Sequence, residues 1–150
     1  MLGQPAGIAL SPTDVGRTIS DEKDMTMEIY HSGAAEVPAV AMPEYFTGSG
    51  KLELMGALDV ASADSMIMLT LDADAHTHWH AHEGGQVLVV TDGTGVVAKR
   101  GEEPIHVAPG DVIVTGPDEV HWHGAGPNAP FSTLAVDRGT TTWHGPVEAR

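Results

Sequence analysis

The chain contains no cysteine, which excludes disulfides, thiolate metal sites, iron–sulfur clusters and a cysteine nucleophile. Any metal it holds must be held by nitrogen and oxygen. Basic residues are scarce, seven against 21 acidic ones, for a formal charge of −14. Such a surface repels nucleic acid and anionic membranes, so neither is expected as a partner. No apolar run approaches the length of a bilayer span, and the N-terminus lacks the basic segment and apolar core of a signal peptide. These absences set the expectation of a cytoplasmic protein. No internal repeat, low-complexity tract or long amphipathic helical period is present either. What remains is 150 residues, enough for one domain whose core needs no covalent staple.

From Met27 onward, short apolar runs alternate with turn signals. The runs are Met27–Tyr30, Lys51–Met55, Met66–Leu71, Gln86–Thr91, Gly95–Lys99, Ile105–Ala108, Asp111–Thr115 and Ser132–Val136. Asp92-Gly93, Pro109-Gly110-Asp111 and Gly116-Pro117-Asp118 break them up, and Gly84-Gly85 reads as a further turn. Short strands punctuated in this way predict an all-β sandwich or barrel. Asp92-Gly93, between Gln86–Thr91 and Gly95–Lys99, predicts a hairpin, because glycine supplies the positive φ of a tight turn. The expected domain is 27–150. Residues 1–26, with Gly3, Pro5, Gly7, Pro12 and Gly16, show no sustained period and read as an N-terminal arm. That arm is either loosely structured or docked on a partner through Ile8, Leu10 and Val15. The polar segment after Asp137 reads as a terminal strand or tail.

The chemistry concentrates between His76 and Gly95, where histidines occupy 76, 78, 80 and 82. Residues two apart on a strand share a face, so the run is expected to aim its imidazoles in one direction, with Trp79 and Ala81 in the other. Same-face neighbours sit roughly 7 Å apart along a strand. Two such imidazoles can converge on one ion held about 2 Å from each nitrogen. His121 and His123 repeat the pattern on a later strand. A lone His-x-His would equally suit a histidine-rich surface strand; two pairs joined by strands and a Pro-Gly-Asp turn make a metal site the better reading.

His80-x-His82 with Gln86 four residues on and Gly93 seven further, then Gly110-Asp111 leading to His121, resemble the two motifs of the cupin superfamily. The resemblance covers roughly 27–136. Trp79-His80-x-His82, Gly85-Gln86, His121-Trp122-His123-Gly124-Ala125 and Tyr45-Phe46-Thr47-Gly48 are most similar to the small cupins related to carboxymuconolactone-decarboxylase-associated cupins. That group includes the manganese-dependent hydroxynitrile lyases. The resemblance implies a jelly-roll β-sandwich, with His80, His82, Gln86 and His121 as metal ligands and His123 as an inner-pocket histidine and candidate catalytic acid/base. It also implies one divalent transition metal per chain, Mn foremost, with Fe, Zn, Ni and Cu compatible with the donors, and a homodimer acting on a small-molecule substrate. Gln86 stands where cupins more often carry glutamate, and Gly116 and Asp118 replace a proline and a glycine of the second motif. Thr133 stands where the cupin hydroxynitrile lyases have a histidine that handles the substrate proton.

Three neutral imidazoles and a neutral amide leave the charge of a dication uncompensated by its ligands. Such an ion is a strong Lewis acid, suited to stabilising an alkoxide or enolate. A metal-dependent lyase acting on a small carbonyl, hydroxy-carbonyl or cyanohydrin-like compound is therefore the leading expectation. An Fe(II)-dependent dioxygenase and a non-catalytic module that binds or senses a metal or small ligand are the alternatives. His76 and His78 have no counterpart in the ligand set and read as pocket-rim or solvated side chains. Trp79 and Trp122, opposite in parity to the ligands, are expected to pack away from the metal. Leu88 and Val90 follow Gln86 by parity and are expected to help line the pocket. His31, His106 and His144 carry no functional weight, and Asp59, Asp64, Asp72 and Asp74 lack the spacing of a calcium loop.

Overall fold

Alternation of buried and part-buried residues is the rule on the long strands, and it decides which side chains look inward. The computed structural model describes residues 27–33, 35–59 and 63–148; the arm expected over 1–26 lies outside them. On Asp64–Leu71 (β4) every second residue from Ser65 to Leu71 is buried. The same holds for Phe131, Thr133, Ala135 and Asp137 on Phe131–Asp137 (β12) and for Gln86, Leu88 and Val90 on Gln86–Asp92 (β7). With Glu36–Pro38 (β1), Gly50–Asp59 (β3) and Val112–Thr115 (β10), these strands make a six-stranded antiparallel sheet in the order β1-β3-β4-β12-β7-β10.

The facing sheet is built from Phe46–Thr47 (β2), His76–Thr77 (β5), Trp79–His82 (β6), Gly95–Lys99 (β8), Ile105–Val107 (β9), His121–Ala125 (β11) and Thr141–Gly145 (β13). In it β11 pairs with β5 and β6 on one side and with β8 on the other, and β9 adds to β8. The only helical piece among the described residues is the 3-10 turn Ala39–Ala41. This is the expected all-β jelly-roll sandwich. Its apolar core, including Leu52, Leu69, Leu71, Leu88, Val90 and Phe131, fills the space between the sheets. Each fully buried Leu or Phe there contributes roughly 2 kcal/mol of transfer free energy.

Two expectations are corrected by the topology. Asp92-Gly93 makes no hairpin: β7 pairs with β12 and β10, whereas β8 pairs with β11 and β9. The turn carries the chain across from one sheet to the other. Gly93 is needed there, with φ of 72°, and a Cβ on it would run into the Pro130 carbonyl oxygen. A sheet-to-sheet corner and a hairpin ask for the same turn residues, so the dipeptide alone does not separate them.

The second correction concerns the histidine run. Gly124 pairs with His76 but His121 pairs with His80, so the strand gains one residue against β11 around His78. A one-residue slip exchanges the two faces. Thr77, His80 and His82 point inward, while His76 joins Trp122 on the opposite face, ring centroids 5.7 Å apart.

Candidate metal centre

Strands β6 and β11 lie side by side with His80 directly opposite His121, and β7 begins at Gln86 after the Gly84-Gly85 turn. His80, His82 and His121 are buried, and their ligand nitrogens all lie within 4.8 Å of one another. Each ring is oriented from behind. His80 Nδ1 donates to the His78 carbonyl and His121 Nδ1 to the Glu119 carbonyl, both at 2.8 Å, while His82 Nδ1 lies 3.0 Å from the Thr141 hydroxyl. A neutral imidazole that gives its proton to Nδ1 carries a bare lone pair on Nε2.

Burial keeps these rings neutral. Desolvation pushes His80 well below the ordinary histidine range, and mutual repulsion with the neighbouring imidazoles adds to it. It lowers His82 against the opposing pull of Asp137, and it takes His121 to about 4. His121 Nε2 therefore has no proton to offer, yet it faces the Gln86 amide oxygen at 3.1 Å. The amide is fixed in that sense because its nitrogen donates to Asp137 Oδ1 at 2.8 Å. His82 Nε2 is buried with no hydrogen-bond partner. His80 and His121 thus turn unprotonated Nε2 atoms toward a shared space that the Gln86 amide oxygen also faces. A cation satisfies such a set of lone pairs, so the residues fit a divalent metal held by nitrogen and oxygen.

The remaining sequence expectations divide. His123, on β11, is buried beside the group, its ring stacked at 6.0 Å on His121, and its Nδ1 has no hydrogen-bond partner. Burial lowers it well below the usual range, so it too is neutral. His76 and His78 are neither solvated nor at a pocket rim. His78 is buried with Nδ1 bonded to the Glu44 carbonyl at 2.8 Å and Nε2 to the Thr47 hydroxyl at 3.0 Å. Trp79 and Trp122 do pack away from the centre, edge to face at 6.5 Å, with the Arg100 guanidinium 5.1 Å over Trp79. Leu88 and Val90 are inward and fully buried, but they do not border the cavity beside the histidines.

That cavity has a volume of about 40 Å³ and is walled by Phe46, Ile67, Leu69, Thr77, His123 and Trp143, among others. His121 does not wall that cavity; with Gln86, which borders both, it lines a second hollow of about 250 Å³ walled by Leu88, Val97 and Ile113. Four residues of the site were not anticipated: Thr77, Asp137, Thr141 and Trp143. Thr77 was hidden by the slip at His78. Thr141 and Trp143 lie on β13 directly opposite His82 and His80, in the segment read as a terminal strand or tail. Their alternation around Thr142 was the available signal.

Comparison with known proteins agrees with this architecture. The family model described as a cupin domain matches residues 67–137. The (R)-mandelonitrile lyase of Granulicella tundricola is 32% identical over 110 residues, spanning 73% of this chain and 83% of the relative. The chain belongs to the cupin superfamily. A cupin-like protein of Thermotoga maritima superposes with a TM-score of 0.64 at 32% identity, covering 69% of this chain and 81% of that one. A cupin 2 conserved barrel protein of Rhodopseudomonas palustris gives 0.59 at 21% identity, covering 74% and 77%, a likeness of fold. The family span of this cupin includes His80, His82, Gln86, His121, His123 and Asp137 and stops short of Thr141 and Trp143.

Proposed function

We propose that this cupin is a metal-dependent lyase that binds one divalent ion through His80, His82, His121 and Gln86 and cleaves a small cyanohydrin or related hydroxy-carbonyl compound. The observation that carries the metal is the convergence of unprotonated lone pairs, above all His121 Nε2 facing Gln86 Oε1 at 3.1 Å. The similarity to a mandelonitrile lyase supports the reaction class. A bound dication supplies Lewis acidity, stabilising negative charge on the substrate oxygen.

The chain's own residues supply the rest. His123 lines the cavity as a neutral ring and is positioned to take the substrate hydroxyl proton. As the carbonyl forms, the carbon–carbon bond breaks and its electron pair leaves on cyanide, which takes the proton back from His123 and departs as hydrogen cyanide. Trp143 Nε1, a buried donor without a partner in the cavity wall, is placed to hold the departing or accepting group. Phe46, Leu52, Ile67 and Leu69 exclude water. A water needs about 10–15 Å³, so about 40 Å³ suits a small substrate.

The test is elemental analysis of tag-free, dialysed protein, followed by hydrogen cyanide release from acetone cyanohydrin and mandelonitrile. About one Mn, Fe, Zn, Ni or Cu per chain is expected, with hydrogen cyanide released from at least one of the two and activity lost on chelation. His123→Ala is expected to retain the metal and lose about 100-fold or more in turnover. Unchanged turnover would remove His123 from the chemistry, and a chain that takes up no ion even on reconstitution would end the proposal.

A further inference from the structure

The centre has a buried carboxylate in it. Asp137 is the last residue of β12 and pairs directly with Gln86, the first of β7. Both are buried, at 5% and 4% exposure. Asp137 Oδ1 receives the Gln86 amide N–H at 2.8 Å and stands 3.8 Å from His82 Nε2. Among the described residues no Lys or Arg forms an ion pair with it. A buried carboxylate without a cation costs several kcal/mol, so its presence calls for a positive partner. The lone pairs beside it have the same requirement.

We propose that Asp137 is the positioning residue and charge partner of the metal centre: it turns the Gln86 amide oxygen toward the ion and supplies the negative charge that the ligands lack. The proposal rests on the metal reading above. The amide can face His121 with its oxygen only if its NH2 group has an acceptor behind it, and Asp137 Oδ1 is that acceptor. Reversed, the amide would set oxygen against oxygen at hydrogen-bond distance. The charge consequence amends the sequence argument. With one carboxylate inside the cage, a dication carries one net positive charge there rather than two, and its Lewis acidity is moderated. Asp137 thus does from β12 what a ligating glutamate at position 86 would do from β7, one strand over.

The experiment moves the charge. Full-length wild type, Asp137→Asn, Gln86→Glu and the double variant Gln86→Glu/Asp137→Asn are titrated with Mn(II) against a competing chelator, and the Co(II) forms are compared by visible absorption. Asp137→Asn keeps an acceptor for the amide and loses the charge. It is expected to weaken metal affinity by about 10- to 100-fold and to shift the Co(II) bands. Its metal-free form is expected to melt no lower than wild type, since a lone buried charge has been removed. The double variant, with the charge restored at 86, is expected to recover most of the lost affinity. Equal affinity and identical Co(II) spectra in wild type and Asp137→Asn would overturn the proposal, as would a double variant no better than Asp137→Asn. Wild type that binds no ion would instead overturn the metal reading itself, and this inference with it.

Discussion

His76 and His78 stand four and two residues before His80, in the same alternating run, yet the two halves do opposite work. In the second half each ring is tied at Nδ1, and Nε2 of His82 is left without a hydrogen bond inside the sandwich. In the first half the chain slips by one residue against β11, His76 turns to the Trp122 face, and both nitrogens of His78 are bonded. The difference lies in face and in bonding: His78 has both nitrogens held and becomes a strut, whereas His76, with Nδ1 3.3 Å from the Asp74 carbonyl, is turned away from the centre by the register. Spacing alone does not distinguish the cases.

The sharpest break of that comparison is in metal stoichiometry. His80→Ala or His121→Ala is expected to abolish retention of a bound ion through dialysis, and His76→Ala to leave about one ion per chain, as read by elemental analysis. Loss in His76→Ala with retention in His121→Ala would invert the assignment.

The rings at the centre also respond to acid once the ion is removed. Burial lowers His80, His82, His121 and His123 in the folded chain, His121 to about 4, against about 6.5 when unfolded. Above about 6.5 all four are neutral in both states and cost nothing. Below it the unfolded chain takes up protons that the folded chain refuses, so the folded state loses stability as pH falls from 6.5 toward 4. The metal-free protein is expected to show a melting temperature that drops steeply across that window by calorimetry. His121→Asn is expected to flatten the slope. A flat profile in the parent would mean that the rings are solvated.

His78 offers the converse test. Its two bonds join β5–β6 to the Tyr45 turn and to β2 through Glu44 and Thr47. His78→Ala removes two part-buried hydrogen bonds to the exposed residues Glu44 and Thr47, at about 0.5–1.5 kcal/mol each. Denaturant unfolding is expected to show that loss with metal stoichiometry unchanged. A stable His78→Ala protein that no longer holds its ion would make His78 a ligand after all.

What could be read from the residues follows the range of the interactions involved. His80 with His82, and His121 with His123, share faces because nothing interrupts their strands between them, so period two suffices. The face of His76 was decided by register against β11, some 45 residues away in sequence. Asp137 was legible as an inward position, since Thr133, Ala135 and Asp137 alternate. Its value to the site comes from pairing with Gln86, which is fixed by sheet order and not by any local pattern. Asp92-Gly93 announced a turn correctly, but whether the next strand joins the same sheet or the facing one is again a long-range choice. The histidine cluster and the jelly roll were therefore visible early, while the groups that orient the rings were not.

The finest test compares the two histidines of the second half with each other. His80 is held by a backbone carbonyl, which no substitution removes, whereas His82 is held by the Thr141 hydroxyl. Thr141→Val preserves the shape of that side chain and deletes the acceptor. The His82 proton then has no partner at Nδ1, and the ring can shift it to Nε2, the atom needed by the ion; each bound ion must reverse that tautomer. The expected result is a metal affinity lower by about tenfold, with folding little changed. Thr141→Ser, which keeps the hydroxyl, is expected to stay within a few-fold of the parent. If Thr141→Val bound as tightly as the parent, the orientation of His82 would have to come from the strand itself, and Thr141 would be wall rather than support.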